Sequence, residues 1–386
     1  MAQGSVLSET PVQENADAAP AVAAGGPAPE TPGRRARRLR RMQAIVSLAL
    51  LAVVLLTSVA VSFMAHSRTL HRMLLNRELS SWKATNGLYS YHPGYIDAED
   101  WMLLDAVPKA HFPHGGVVFM GSSTTQHAVM PWTLPRAQRP YVQDFAMESA
   151  NYTEQYQWVR FLTKDHNLLQ AGPKMLIVLG LAYFDMRLKI PGTTDANFVP
   201  ELFKRYGWYR YSRRTGIHRV AMNPWKRWWM RERLRDYDFL ECALTDLRLP
   251  TSGWHPGAAR TPATNHAARK FNRGLLGHSQ WRYAMKTELA QLNAMMGYIQ
   301  AHGAHVRVVL LPLSSWNDSL PYPRAYDKRV RAVCKKRGIR IVNLQHAVPD
   351  SGFYDAGHLN YTGERQISPI LLGIAQRHLR RIGLGQ

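Results

Sequence analysis

Cysteine is scarce in this sequence: Cys242 and Cys334 are the only two in 386 residues. They form no C-x-x-C pair and join no Cys/His cluster, so the pattern offers no zinc or iron–sulfur ligand set. Two thiols so far apart permit a disulfide in an oxidising compartment without establishing one. Large apolar side chains are nearly missing from residues 1–33, which are rich in Ala, Pro, Gly and Glu. Such a stretch cannot bury enough surface to offset chain entropy, so residues 1–41 are expected to form a disordered cytoplasmic tail ending in an Arg cluster. Acidic residues are also few, 27 against 49 Lys and Arg, for a formal charge of +22. The first 41 residues carry six Arg and four acids and Met42 to Ala65 carries no charge, so most of the excess belongs to residues 66–386. No internal repeat is visible.

What is present begins with Arg34-Arg35-Ala36-Arg37-Arg38-Leu39-Arg40-Arg41 and the uncharged run Met42 to Ala65. At 1.5 Å per residue this run can span a bilayer core of about 30 Å. A cleaved signal peptide would carry a shorter apolar core, of about 7–15 residues. Arg clusters stay in the cytoplasm, so residues 42–65 read as an uncleaved transmembrane helix with the N-terminus inside. The rest is then extracytoplasmic, at the inner (cytoplasmic) membrane. A basic domain there favours anionic lipid or an envelope glycan as partner, and the anchor argues against nucleic acid.

After a stalk over 66–110, short buried runs alternate with helical stretches. Strands are expected at Gly115–Met120, Tyr141–Ala146, Met175–Leu179, Val306–Leu311 and Ile339–Leu344, and helices at Glu154–Lys164, Tyr283–His302 and Ala325–Lys336. Leu289, Leu292, Met296 and Ile299 keep three- and four-residue spacing. This alternation implies a parallel sheet in a three-layer α/β/α domain over 111–386. The stretch 187–280 breaks the rhythm and reads as an insertion. Within it, residues 201–235 hold 11 Lys or Arg against two acids, interleaved with Trp208, Trp225, Trp228 and Trp229. Arg with Trp suits a membrane interface or a sugar platform.

Two patterns carry chemistry. Gly121-Ser122-Ser123-Thr124-Thr125 directly follows the first strand, where parallel sheets place functional groups. Asp355-Ala356-Gly357-His358 lies near the C-terminus. An Asp three residues before a His can fix the imidazole tautomer, leaving Nε2 to take a proton from a serine. The pattern alone does not separate Ser122 from Ser123.

Together these residues resemble the SGNH, or GDSL-type, hydrolase superfamily over residues 114–186 and 304–375. The resemblance implies Ser123 as nucleophile, Asp355 as orienting carboxylate and His358 as general base, with no cofactor and no metal. The sequence departs from the family at its oxyanion positions. Where a Gly is usual the sequence has Phe145 to Asn151, with Ser149 nearest, and Gly180 to Asp185 offers no amide. Asn151 and Tyr183 are the nearest substitutes. The single-pass architecture is similar to DltD-type partners of membrane-bound O-acyltransferases, as is Leu311-Pro312 followed by Trp316. That likeness implies transfer of an O-acetyl or D-alanyl group onto an envelope polymer, beside a membrane-bound O-acyltransferase. An envelope carbohydrate esterase and a non-catalytic tethered binding protein are the alternatives.

Overall fold

The computed structural model describes residues 32–67, 69–70, 73, 111–147, 150–187, 209–212, 216–247, 280–318, 320–353 and 357–385. The chain divides into two compact units, residues 1–58 and 59–386.

Helix α1 (Pro32–Ala65) is continuous. Its segment Gly33–Ala65 is long and apolar enough to cross a membrane, with a mean hydropathy of 2.7 in its most apolar window. The helix begins before the uncharged run, which corrects the expectation of a disordered tail through residue 41. Pro is tolerated at a helix start because no N–H is needed there, and Arg, Leu and Ala are good helix formers.

In the second unit, β1 (Gly116–Met120) leads into a short helical turn, α2 (Ser123–Gln126), followed by β2 (Val142–Asp144). Next come α3 (Tyr152–His166) and β3 (Met175–Leu181). The expected insertion carries a hairpin, β4 (Tyr209–Ser212) with β5 (Gly216–Arg219), then α4 (Pro224–Leu247). The remaining elements are α5 (Trp281–Ala301), β6 (His305–Leu310), α6 (Tyr322–Lys336), β7 (Ile341–Asn343) and α7 (Tyr361–Arg381).

Five strands form one sheet in the order β2-β1-β3-β6-β7, and every pair in it is parallel. β1 and β3 are buried at every residue, as expected of strands covered on both faces. Val118, Met120, Ile177, Leu179, Val308 and Leu310 share a core with residues of α3, α5 and α6. Val117, Phe119, Leu176, Val178 and Val309 share the opposite core with α7, through Ile367, Leu371, Ala375 and Leu379. The α/β/α layering expected from the alternation is therefore present. The chain runs from β1 outward to β2 and then back across β1 to β3. The switch point, where such sheets open a crevice above the strand ends, lies between β1 and β3.

Within this same unit α4 meets the end of α1: Phe239 packs with Val61, Ala65 and Leu70, and Glu232 binds His66 Nε2 at 2.8 Å and Arg235 at 2.9 Å. Cys334 is a buried free thiol, and burial pushes it up to about 11.

Candidate functional site

The site begins at the carboxyl end of β1. The strand closes at Met120, Gly121 turns the chain, and Ser122 is the extended residue before α2 (φ −97°, ψ −168°). Gly121 has no alternative: a Cβ there would lie 1.9 Å from Thr125 Oγ1 and 2.6 Å from the Gly180 carbonyl. The same hydroxyl would lie 2.3 Å from a Cβ on Gly180, in β3. A glycine just past β1 and another in β3 thus make the room into which Thr125 folds, and its hydroxyl donates to the Gly180 carbonyl at 3.1 Å.

This turn divides the two serines. Ser122 is buried and its hydroxyl pairs with Thr124 Oγ1 at 2.9 Å. Ser123, half-buried, lies with Oγ 2.8 Å from His358 Nε2, across 235 positions of sequence. When Nε2 is unprotonated the serine hydroxyl donates to it, the contact a general base needs before it removes that proton. The ring of His127 meets that of His358 edge-on, with centroids 5.2 Å apart.

His358 is held by the segment entering α7. Asn360 caps that helix, its Oδ1 accepting from Gly363 N–H at 3.1 Å. Its Nδ2 donates to the Ser351 carbonyl at 2.7 Å and its own N–H to the Gly352 carbonyl at 3.0 Å. Phe353 and Leu359 form an antiparallel bridge, so the loop is closed at its base just beside His358. Gly357 lets it approach the turn after β3: a Cβ there would lie 2.6 Å from the ring of Phe184. Asp355 lies outside the described residues.

The expected oxyanion donors fare differently. Ser149 is outside the described residues. Asn151 is a helix cap instead: Oδ1 accepts from Glu154 N–H at 3.0 Å, and Nδ2 donates to the Arg187 carbonyl at 3.1 Å. The Tyr183 hydroxyl donates to Asn317 Oδ1 at 2.5 Å, and burial raises its pKa well above the usual phenol range. The donors of both are committed to the surrounding fold, because each is buried where an unmet polar group is costly.

Asp185 has an importance that sequence reasoning misses. It follows β3 in a tight turn (Tyr183–Met186), is buried, and its Oδ2 accepts from Ala182 N–H at 3.1 Å. Burial raises its pKa to about 7. The Ser122 hydroxyl, the Ala182 N–H, Arg187 and His358 each oppose that rise. The available signal was an acidic residue just past a central strand, in a stretch where the family pattern directs attention to an amide. Among the described residues no group of three or more His, Cys, Asp or Glu is arranged to hold a metal.

No protein-family model matches this chain, and no curated protein matches it. Among solved structures, a Bacteroides fragilis protein described as an acylhydrolase is 14% identical, with 74% of this chain and 98% of that one covered and a TM-score of 0.36. A GDSL-like lipase from Bacteroides thetaiotaomicron is 12% identical, with 72% and 98% covered and a TM-score of 0.35. Likeness at that level assigns no activity, and the site stands on its own geometry.

Proposed function

We propose that this protein is a membrane-anchored serine acyl-transfer enzyme of the SGNH type, with Ser123 as nucleophile and His358 as general base. The observation that carries the reading is the 2.8 Å contact between Ser123 Oγ and His358 Nε2, made at the strand-end crevice of a parallel sheet. In the first half-reaction Ser123 Oγ bonds to the acyl carbonyl carbon while its proton moves to Nε2. The carbon–oxygen bond to the leaving group then breaks, and the leaving oxygen takes that proton. In the second half His358 deprotonates an alcohol or water, which displaces Ser123 Oγ and carries off the acyl group, while the proton on Nε2 returns to Ser123 Oγ. Asp355 is the expected orienting partner of His358.

The choice between alcohol and water separates a transferase from an esterase. We favour transfer of an O-acetyl or D-alanyl group onto an envelope polymer, beside a membrane-bound O-acyltransferase, as in DltD-type proteins. The support is architectural: one helix long and apolar enough to span a membrane, an Arg cluster at its N-terminal end and a basic remainder after it. By the positive-inside rule the N-terminus is then expected in the cytoplasm and the domain on the far side of the membrane. The basic, Trp-bearing α4 is the surface expected to meet anionic lipid or an acidic glycan.

A non-catalytic binding protein is the second reading, favoured by the commitment of Asn151 and Tyr183 to other partners. Treating the full-length protein with a serine-reactive fluorophosphonate, followed by peptide mass spectrometry, decides between them. An adduct on Ser123 is expected. Failure to label any serine, in protein shown to be folded, sinks the enzyme reading and leaves the binding protein.

A further inference from the structure

Acidic residues are missing from the edge of the sheet opposite Ser123. The segments that enter the strands there, 111–115, 136–141, 170–174, 301–304 and 335–340, contain no Asp or Glu, and neither does the chain end over 376–385.

Four arginines from three elements meet on the face of this edge that α7 covers. Val309 of β6 and Val342 of β7 pack in the α7 core, so Arg307 and Arg340, two residues before each, lie on the same face. Val308 stands opposite Ile341 in the parallel pair, and its N–H donates to the Arg340 carbonyl at 3.3 Å, which sets Arg307 beside Arg340. The end of α7 brings Arg377 and Arg381, one turn apart. His378 ties that end to the strands. Its Nε2 donates to the Lys174 carbonyl at 2.9 Å, its Nδ1 accepts from Arg381 Nη2 at 2.9 Å, and its ring meets that of His305 with centroids 6.2 Å apart.

Among the described residues none of the four arginines is paired with a carboxylate. Arg340, Arg377 and Arg381 are exposed but Arg307 is half-buried, and burial with its three like-charged neighbours holds its guanidinium below the ordinary arginine range. A cation that loses hydration among other cations destabilises the fold unless an anion joins them. The negative end of the α7 dipole accounts for Arg377 and Arg381. It does not account for Arg307 and Arg340, which belong to β6 and to the entry of β7, where an uncharged β-former would pack as well.

We propose that Arg307, Arg340, Arg377 and Arg381 form a binding site for a phosphate group, carried on a lipid headgroup or on a soluble phosphate. The site is independent of the serine–histidine reading: β6 spans 6 residues, so the two edges of the sheet lie about 20 Å apart. A guanidinium presents a planar fork of donors that matches phosphate oxygens two at a time, and phosphate offers converging forks more acceptors than a carboxylate does. Its charge would also relieve the repulsion among the four.

Hydrogen exchange on the full-length protein in nanodiscs tests this at fixed pH, read over residues 335–341 and 376–384. Inorganic phosphate added to discs of zwitterionic lipid should slow exchange there, and sodium chloride at the same ionic strength should not. Discs containing phosphatidylglycerol should give that protection without added phosphate when a headgroup fills the site; protection by added phosphate alone assigns a soluble source. Half-saturation by phosphate should rise at least about tenfold in Arg307→Gln and in Arg340→Gln, the loss expected for a charge-assisted hydrogen bond. Arg307→Lys, which keeps the charge without the fork, should fall between wild type and Arg307→Gln. Protection by phosphatidylglycerol should weaken in the same variants. Arg340 is exposed, so its replacement tests the site even where the Arg307 variants fail to fold. Equal protection by phosphate and chloride in wild type overturns the proposal, as does no protection in either kind of disc. A folded Arg340→Gln protein that responds as wild type does overturns it too.

Discussion

The Thr125 hydroxyl donates to the Gly180 carbonyl across 3.1 Å, tying the turn that carries Ser123 to the neighbouring central strand. The space it needs is left open by Gly121 and by Gly180 itself. The nucleophile turn is therefore built across two strands, and its geometry depends on a side chain that takes no part in chemistry.

Gly180→Ala should destabilise the protein by about 1–3 kcal/mol through overpacking against Thr125, and should slow labelling of Ser123. All three of the nearest atoms that its Cβ meets belong to Thr125. Adding Thr125→Ala should therefore recover part of the loss, and the pair should be non-additive in denaturant unfolding. Additive losses would mean that the clash is not the cause.

The two serines should separate cleanly. Ser123→Ala is expected to abolish the fluorophosphonate adduct, and Ser122→Ala to retain it at a reduced rate, because Ser122 faces Thr124 and Asp185 rather than His358. His358→Ala should lower labelling of Ser123 by about 10²–10⁴, the usual range for a general base. His346→Ala, outside the site, should change little. Rates from stopped labelling reactions resolved by mass spectrometry check each of these; an adduct on Ser122 in wild type would reassign the nucleophile.

Stability should fall as pH rises between about 4 and 7. An unfolded Asp titrates near its ordinary value of about 3.9, whereas burial holds Asp185 up at about 7 in the fold. Across that window the folded chain keeps a proton that the unfolded chain has released, so raising the pH favours unfolding. Above pH 7 both states are ionised and the loss is complete, at most about 4 kcal/mol. Asp185→Asn should match wild type near pH 4 and exceed it by a few kcal/mol at pH 8. Denaturant unfolding across that range measures the difference, and parallel pH curves for the two proteins would contradict the expectation.

The α4 surface should protect against exchange when it meets an anionic surface. Trp225, Trp228 and Trp229 are 70%, 47% and 48% exposed on one side of the helix, among Lys226, Arg227, Arg231 and Arg233. Hydrogen exchange over residues 224–235 is expected to slow in nanodiscs of anionic rather than zwitterionic lipid, or with an added acidic polymer. High salt should reverse the effect, because exposed charges more than about 8 Å apart are already screened near 0.15 M. Unchanged exchange with both, at every salt concentration, would leave α4 a merely solvated basic face.

Much of the layered domain was legible because buried parallel strands leave uninterrupted apolar runs, as in Val117-Val118-Phe119-Met120 and Met175 to Leu179. The helices α5 and α6 were legible from their spacing. Helix α7 was not, because Gly363, Pro369 and Gly373 interrupt its pattern; tertiary burial of Ile367, Leu371 and Leu379 overrides their low propensity. The hairpin Tyr209–Ser212 with Gly216–Arg219 and the helix Pro224–Leu247 were hidden in a stretch whose only visible sign was a broken rhythm.

By itself the sequence determined a segment long and apolar enough to span a membrane, the alternating strands and helices, and the two patterns from which a serine and a histidine could be named. These are local properties, written in hydrophobicity, charge and short spacings. Only the tertiary structure decided that Ser123 rather than Ser122 meets His358, and that the Asn151 amide is taken by the Arg187 carbonyl. Each of those depends on which groups distant in sequence are brought within about 3 Å, the range in which a hydrogen bond forms. That distance is set by sheet order and by packing across it, to which no single stretch of the chain has access.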